Sequence, residues 1–171
     1  FKEYIDTVVT PNVAVRAEDY TMNLSSFIYY QDEETGNWKE LKSIHGEENR
    51  ILVEFKDMSP YLWQAAVAIE DHRFFQHEGV DWWRTLGAVK DLILGDGSYG
   101  GSTITQQVLK NMTNDNMPYV NRKVREIFRA LEFEKNYSKQ FILEQYLNDI
   151  NMGQGCHGVQ TAAQFYFGKD A

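Results

Sequence analysis

The chain has 171 residues, of which 43% are hydrophobic and 14% aromatic, and its formal net charge at pH 7 is -8. This length suits one domain, or one domain split into two lobes, and the composition excludes a disordered or low-complexity chain. The negative charge argues against nucleic acid, or an anionic membrane surface, as the main partner.

The charge is distributed unevenly along the chain. Residues 1–60 carry 12 acids and 6 bases, whereas residues 110–139 carry 7 bases and 4 acids. A local basic patch on an acidic chain suits a small anionic group better than a polyanion. The single cysteine, Cys156, cannot form an internal disulfide and leaves the redox compartment open. No apolar run approaches the ~20 residues of a membrane span, and the first residue is not Met, as in an excised segment.

The first 57 residues have an extended and irregular texture. Residues 27–30 and 51–55 have strand composition, and turn signals at 34–37 and 45–46 separate them. These patterns predict one or two short hairpins in this part of the chain.

Helical patterns dominate the chain from Ser59 onwards. Ser59 is predicted to cap a helix that starts at Pro60, with Leu62, Ala65, Ala66 and Ile69 on its apolar face. A 3.6-residue period predicts further helices at 103–111, 122–135, 139–150 and 158–167. No internal repeat and no parallel βαβ alternation is found. The predicted fold class is therefore mainly α, with a small β element near the start.

Residues 80–99 combine an amphipathic stretch with a glycine-rich loop. Trp82, Trp83 and residues 92–94 fit core packing and a surface that dips into a bilayer equally well. Residues 95–100 match G-x-G-x-x-G, but a dinucleotide site needs a preceding strand and a βαβ unit, which are not predicted here. We interpret the glycines as a flexible loop or turn beside an active site.

Two adjacent carboxylates, Glu70 and Asp71, stand at the end of the first apolar helix. Two aromatic residues and two histidines follow them closely. A carboxylate pair next to apolar surface is typical of general acid or base catalysis, while the alternative is a solvated helix end. His72 and His77 lack the spacing of a helical zinc site, so histidine ligation of a metal is not predicted.

A second polar segment starts at two glycines, Gly100 and Gly101. Either Ser102 or Thr103 can cap the helix that follows, and a helix N-terminus attracts anions. An ordinary capped helix does not need the polar side chains that follow the cap, which are those of Thr105, Gln106, Gln107 and Lys110.

Arg122, Lys123 and Glu126 form a third candidate cluster, in which Arg122 and Glu126 share one helix face. One interpretation is a surface ion pair that contributes ~0.3–0.5 kcal/mol. The other is the edge of a cleft, where the two cations hold a phosphate group and keep Glu126 ionised.

Five segments of the chain resemble, in the right order, the signature motifs of a known family. They are Glu70–Gly79, Gly100–Asn111, Arg122–Glu126, Ile142–Asn148 and Gly158–Lys169. Together they are similar to the peptidoglycan glycosyltransferase domain, a family 51 transglycosylase, of class A penicillin-binding proteins and monofunctional transglycosylases. The resemblance covers about residues 50–171, and residues 1–50 match only loosely, as the segment that follows a membrane anchor.

The resemblance implies a lysozyme-like large lobe and a small, membrane-associated jaw lobe at about 80–99. Residues 1–57 would form the post-anchor segment and 58–171 the glycosyltransferase domain. The implied reaction polymerises lipid II into glycan strands by an inverting, general-base mechanism and releases undecaprenyl pyrophosphate. The implied location is the outer face of the bacterial cytoplasmic membrane, with the anchor outside this sequence. Implied partners are lipid II, the growing glycan chain, the membrane surface and moenomycin-type inhibitors, but no nucleic acid.

The resemblance also implies roles for individual residues. Glu70 would be the general base, supported by Asp71, and Glu126 would be the second catalytic carboxylate. The remaining matched positions would bind substrate: Lys110, Arg122 and Lys123 at the pyrophosphate, and Ser102, Gln106 and Gln107 in the donor cleft. Whether a divalent cation (Mg²⁺ or Mn²⁺) takes part stays open.

Two departures from the family pattern concern Met117–Tyr119, where a basic residue is usual, and Asn151, where an aromatic is usual. Two other functions are weighed against polymerisation. A lysozyme-like lytic enzyme would use one acidic glutamate and would not need the cations around Glu126. A non-catalytic scaffold that binds lipid II or glycan would not need both Glu70 and Glu126.

Overall fold

The computed structural model of the chain describes residues 13–94, 100–113 and 119–171. These residues contain six α-helices: α1 (Pro60–Glu70), α2 (Trp82–Leu94), α3 (Ile104–Thr113), α4 (Tyr119–Asn136), α5 (Lys139–Asp149) and α6 (Val159–Phe167). They also contain four short strands: β1 (Ser26–Gln31), β2 (Trp38–Ile44), β3 (Asn49–Arg50) and β4 (Cys156–His157). Single 3₁₀ turns occur at Ala17–Asp19, Phe55–Asp57 and Phe74–Gln76. The prediction of a mainly α fold with a short β element near the start is confirmed.

The described residues form two compact units. Residues 13–20 and 59–146 form the first, which contains α1 to α4 and most of α5. Residues 21–58 and 147–171 form the second, which contains the four strands and α6. The predicted domain boundary at residue 57 stays a prediction.

The core of the first unit is built from the apolar sides of α3, α4 and α5. Its fully buried side chains are Phe74, Ile104, Leu109, Phe133, Ile142 and Leu143. The apolar positions predicted for α3 and α5 are therefore confirmed at Ile104 and Ile142. In α4 the predicted stripe is only half-buried, and the buried apolar positions are Ala130 and Phe133.

The apolar residues predicted on one face of α1 do not lie in the core. Ile69 is 80% exposed and Tyr61 is also exposed, while Val67 is the buried residue of this helix. A periodic pattern shows that apolar residues share a face, but it does not show whether that face meets the core or the solvent.

Gly79 allows the chain after α1 to approach α4 closely. Its φ is +85°, and a Cβ at this position would lie 2.3 Å from the carbonyl oxygen of Ala130. Only glycine combines this backbone conformation with so short a distance. The segment that follows the Glu70–Asp71 pair is thereby fixed against the middle of α4.

In the second unit, β1 and β2 form an antiparallel hairpin, with Phe27 opposite Ser43. The turn between them contains Gly36 at a φ of +69°, and the Thr35 N–H donates to Asp32 Oδ1 over 2.9 Å. The predicted strand at 27–30 and the turn at 34–37 are confirmed.

The predicted strand at 51–55 is wrong, because side chains supply the hydrogen bonds that a neighbouring strand would have made. The Ile51 N–H donates to Thr161 Oγ1 over 3.0 Å. The Asn148 amide pairs with both backbone groups of Val53, at 3.0 and 2.9 Å. The nearby ladder is limited to two residues on each strand, where β3 pairs in parallel with β4.

Of the remaining predictions, the structure tests the packing of the two tryptophans in α2 but not the glycine-rich loop. Core packing of Trp82 and Trp83 is wrong, because these side chains are 53% and 76% exposed. The glycine-rich loop at 95–99 and the departure at Met117 and Pro118 lie outside the described residues. No helix in the described part of the chain is long and apolar enough to cross a membrane.

Candidate active site

Glu70 ends α1, and its carboxylate meets the side of α3. The Gln107 side-chain amide donates to Glu70 Oε2 over 3.0 Å. The Glu70 side chain is only half-buried, so solvent and a substrate hydroxyl can reach it. Burial, and to a lesser extent the charge of Glu70, raises the pKa of the buried Tyr146 to about 12. The Tyr146 phenol near the candidate base Glu70 is therefore neutral at any physiological pH.

Asp71 is fully buried and accepts hydrogen bonds from several elements at once. The Ile104 N–H, at the start of α3, donates to its Oδ2 over 3.1 Å. His77 Nε2 lies 3.0 Å from the same oxygen, and Arg84 Nη1 lies 3.7 Å from Oδ1. A carboxylate at a helix N-terminus is stabilised by the helix dipole. Asp71 thus joins the end of α1 to the start of α3, and its burial leaves no surface for a substrate.

Arg84, in the first turns of α2, was not singled out by the sequence. Its Nη1 donates to the backbone carbonyl of Glu70 over 2.5 Å, and its Nη2 donates to that of Gly100 over 2.6 Å. One guanidinium therefore fixes the two backbone segments that lead into the candidate base and into α3. No sequence pattern marks such a role, because every residue supplies a carbonyl acceptor.

Asp81 positions Arg84 at the start of α2. Its Oδ1 accepts the Arg84 backbone N–H over 3.1 Å, and Arg73 binds both carboxylate oxygens. Burial favours protonation of Asp81, but these hydrogen bonds and the Arg73 charge outweigh it and lower the pKa. Asp81 is therefore an ionised cap for this helix.

Thr103, rather than Ser102, caps α3, and it does so in a capping box with Gln106. The Thr103 N–H donates to Gln106 Oε1 over 3.0 Å, and the Gln106 N–H donates to Thr103 Oγ1 over 3.2 Å. The Thr103 hydroxyl also donates to the Gly79 carbonyl over 2.7 Å. Gln106 is only 1% exposed, so the structure places it in the helix cap and not on the surface of a cleft.

Lys123 connects the start of α3 to α4. Its Nζ donates to Ser102 Oγ over 2.7 Å, and it lies 3.4 Å from Gln106 Oε1 and 3.3 Å from Glu126 Oε2. Burial lowers the pKa of Lys123 more than the Glu126 carboxylate raises it. The positive charges of Arg122 and Lys110 act in the same direction as burial.

Glu126 is the buried centre of the candidate basic site. It is 6% exposed, and its Oε1 lies 3.4 Å from Arg122 Nε. The surface ion pair considered from the sequence is therefore wrong, since a solvated pair would expose the carboxylate. Arg122 and Lys123 pair with this one carboxylate, and Lys110 adds a third positive charge that acts on Lys123. The excess positive charge suits an anionic ligand.

The basic site does not fit a resident divalent cation. Both oxygens of Glu126 already form ion pairs with Arg122 and Lys123. Across residues 13–94, 100–113 and 119–171, no group of three or more His, Cys, Asp or Glu side chains could hold a metal ion. Hard divalent cations require several oxygen ligands, whereas here the side chains of Arg122 and Lys123 already compensate the negative charge of Glu126.

Comparison with known proteins agrees with this arrangement. A family model described as Transglycosylase matches residues 37–171. Penicillin-binding protein 2D of Bacillus subtilis (strain 168) is 44% identical over 125 residues, which are 72% of this chain and 18% of that protein. Penicillin-binding protein 1A of Clostridium perfringens (strain 13 / Type A) is 39% identical over 166 residues, which are 94% of this chain and 24% of that protein. Penicillin-binding protein 1A of Vibrio cholerae is 45% identical over 126 residues, which are 73% of this chain and 15% of that protein.

The mainly α domain thus contains one carboxylate that solvent reaches, Glu70, and one buried carboxylate that pairs with two cations, Glu126. The chain belongs to the transglycosylase family, the family 51 peptidoglycan glycosyltransferase domains of class A penicillin-binding proteins. It spans about a fifth of the length of the relatives described above, between 15% and 24%.

Proposed function

We propose that this domain polymerises lipid II into glycan strands and releases undecaprenyl pyrophosphate. The observation that carries the proposal is that the two candidate carboxylates have unlike surroundings. Glu70 is reachable and bound by Gln107, whereas Glu126 is buried among cations. A reaction that activates a hydroxyl and expels a pyrophosphate needs these two environments.

Glu70 acts as the general base in this proposal. Its carboxylate takes the proton of the acceptor sugar's 4-hydroxyl as that oxygen bonds to the anomeric carbon of the donor. The bond from the anomeric carbon to the pyrophosphate oxygen breaks on the opposite face, so the configuration inverts. The hydrogen bond from Gln107 fixes the direction of the Glu70 carboxylate and leaves its Oε1 for the substrate.

Asp71 acts as a positioning residue and not as a group that touches substrate. It is fully buried and bound to the Ile104 N–H, so it fixes the start of α3. Because α3 carries Gln107, a displacement of its first turn would move the hydrogen bond that orients Glu70.

The leaving group is stabilised by charge in this proposal. Lys110, Arg122 and Lys123 bind the pyrophosphate, and Glu126 holds Arg122 and Lys123 in place. Pre-organised cations at a site of developing negative charge lower the barrier without reorganisation. A pyrophosphate leaves as a stabilised anion, so no strong general acid is required. Ser102 and Gln106 contribute by holding Lys123 rather than by lining the surface.

We also propose that the domain works at the outer face of the bacterial cytoplasmic membrane, anchored by a segment outside this sequence. The exposed apolar side chains Tyr61, Ile69 and Leu86 support contact with a lipid surface. The predicted jaw at about 80–99, and competition by moenomycin-type inhibitors for the basic site, belong to the same proposal.

The test is incubation of the domain in detergent with labelled lipid II, resolving products by length. We expect polymer from the wild type and none from Glu70→Gln, with the fold and substrate binding retained. Glu132→Gln is the matched control, because Glu132 pairs with Lys135 on the exposed side of α4. Polymer formation by Glu70→Gln at the wild-type rate would remove Glu70 as the base.

A second pair of variants tests the basic site. Lys110→Ala should weaken binding of pyrophosphate-bearing ligands more than binding of an uncharged glycan, and Lys135→Ala should change neither. Equal losses for both ligands in Lys110→Ala would assign Lys110 to packing. Binding of lipid II without any product from the wild type would favour the scaffold function, and cleavage of preformed glycan would favour a lytic enzyme.

A further inference from the structure

A buried ion pair of Glu134 and Lys139 is distinct from the two candidate catalytic carboxylates. The carboxylate belongs to α4 and the ammonium group to the start of α5, and Glu134 Oε2 lies 2.6 Å from Lys139 Nζ. The Glu134 side chain is only 4% exposed. Burying two charges costs free energy, and apolar side chains of similar size often stabilise a core at least as well. Stability alone is therefore a weak reason for such a pair.

The other oxygen of Glu134 holds α3. The Thr105 hydroxyl, in the first turn of α3, donates to Glu134 Oε1 over 2.5 Å, and Thr105 is fully buried. Residues two positions apart point about 200° apart around a helix, so Thr105 and Gln107 lie on opposite sides of α3. Gln107 donates to the Glu70 carboxylate over 3.0 Å. Glu134 thus fixes one side of the helix whose other side meets the candidate base.

Lys139 holds the segment that follows the candidate base. Its Nζ lies 4.2 Å from the centroid of the buried Phe74 ring, which is within the range of a cation–π interaction. The Phe74 N–H donates to the backbone carbonyl of Asp71, the residue after Glu70, over 2.8 Å. The ion pair therefore contacts both segments that supply the hydrogen bond to the base, one through each of its partners.

We infer that the Glu134–Lys139 pair positions Gln107 against the Glu70 carboxylate, and that Thr105 transmits this constraint to α3. The inference rests on the proposed function, in which Gln107 sets the direction of the base. A small rotation of α3 would turn the Gln107 amide away from Glu70. Misplaced catalytic groups slow the chemical step more than they weaken substrate binding, so the pair should affect kcat more than KM.

The first test removes the Thr105 hydroxyl and keeps the shape of the side chain. We expect Thr105→Val to lower kcat for polymerisation of lipid II about tenfold and to change KM less than about twofold. Thr105→Ser, which keeps the hydroxyl, should restore most of the rate. Thr161→Val is the matched control, because Thr161 is a buried threonine of α6 whose Oγ1 accepts the Ile51 N–H. It should lower the unfolding temperature without lowering kcat, and equal losses of kcat in both valine variants would overturn the inference.

The second test removes both charges together, because removing one partner would leave an unpaired charge in the core. Methionine is close to both side chains in length. Glu134→Met combined with Lys139→Met should therefore keep the unfolding temperature near that of the wild type, while kcat falls about tenfold. The matched control is Glu132→Met combined with Lys135→Met, an exposed pair on α4 at 2.7 Å, which should change neither quantity. A wild-type kcat without the buried pair would overturn the inference, and the Thr105 variants decide alone if this double variant does not fold.

A double-mutant cycle tests whether Thr105 acts through Gln107. If it does, Thr105→Val should lower kcat no further in a protein that already carries Gln107→Ala, since the group to be positioned is absent. Losses that multiply in the combined variant would show that the Thr105 hydroxyl acts by another route, and the positioning role would then be wrong.

The position of Gln107 can also be followed without turnover, from the NMR signals of its side-chain amide, which are assigned by their loss in Gln107→Ala. We expect these signals to shift in Thr105→Val and to stay unchanged in Thr161→Val. A shift of the signals in a domain that forms no polymer would refute the proposed function alone. Polymerisation with kcat and signals unchanged by Thr105→Val would refute the positioning role alone.

Discussion

Replacing Arg84 by alanine tests whether the backbone around the candidate base must be held in place. The change removes donors to the carbonyls of Glu70 and Gly100, at 2.5 and 2.6 Å. Hydrogen bonds from a charged group contribute about 1.5–3 kcal/mol each. If the equivalent of one such bond is lost from the transition state, kcat falls ~10–100-fold, since 1.4 kcal/mol corresponds to about tenfold in rate.

The assay measures initial rates of polymerisation over a range of lipid II concentrations, together with the thermal unfolding temperature. Because Arg84 acts through Glu70, kcat should fall while KM changes only a few-fold. Arg84→Lys should remain impaired, since one ammonium group lacks the fork that reaches two carbonyls. Lys90→Ala, an exposed change on the same helix, should leave kcat unchanged.

Two results would contradict this reasoning. A kcat of Arg84→Ala within twofold of the wild type would show that the backbone keeps its position without the guanidinium. Full recovery in Arg84→Lys would show that positive charge near Asp71 matters, and not the bridge between the carbonyls.

Three other predictions concern the backbone and the pH dependence. Gly79→Ala should lower the free energy of unfolding, measured with denaturant, by more than about 3 kcal/mol, because its Cβ would lie 2.3 Å from the Ala130 carbonyl oxygen. Gly87→Ala is the control and should leave stability nearly unchanged, because no atom lies within 4 Å of the added Cβ. Burial lowers the pKa of Lys123, so binding of a pyrophosphate analogue should weaken with rising pH at a lower pH than an ordinary lysine would cause. Lys123→Arg should shift this loss of binding to higher pH. The same loss at the same pH in both proteins would show that Lys123 does not bind the pyrophosphate. The pKa of Tyr146 is raised to about 12 from its ordinary 10, so between these pH values the folded state keeps a proton that the unfolded chain releases. The free energy of unfolding should therefore fall as the pH rises through this range. In Tyr146→Phe this fall should be less steep than in the wild type.

The sequence predicted the parts of the fold that local patterns encode. The helix that contains Ile104 and the one that contains Ile142 show a clear period, and their apolar residues are buried. Residues 51–55 have equally clear strand composition, but their backbone partners are the side chains of Asn148 and Thr161, which lie 95 and 110 residues further along the chain. Composition in a short window carries no information on such partners.

The same distinction applies to the candidate site. Glu70 and Gln107 belong to motifs that the sequence singles out, and the structure brings them within 3.0 Å of each other. Gln106 belongs to the same motif, yet its task in the helix cap depends on Thr103 and became visible only in three dimensions. Arg84 escaped notice because it binds backbone carbonyls, which no residue type identifies.

The first turns of α3 have a consequence for how this family can vary in length. Gln106 closes the cap and Gln107 binds Glu70, so two identical neighbours have different tasks. Consecutive residues point about 100° apart around a helix. Deleting a single residue between Gly101 and Gln106 would therefore rotate every later side chain of the helix, and Gln107 would turn away from Glu70. The number of residues in this turn is constrained more strictly than their chemical identity, so natural variants should differ here by substitution and not by insertion or deletion.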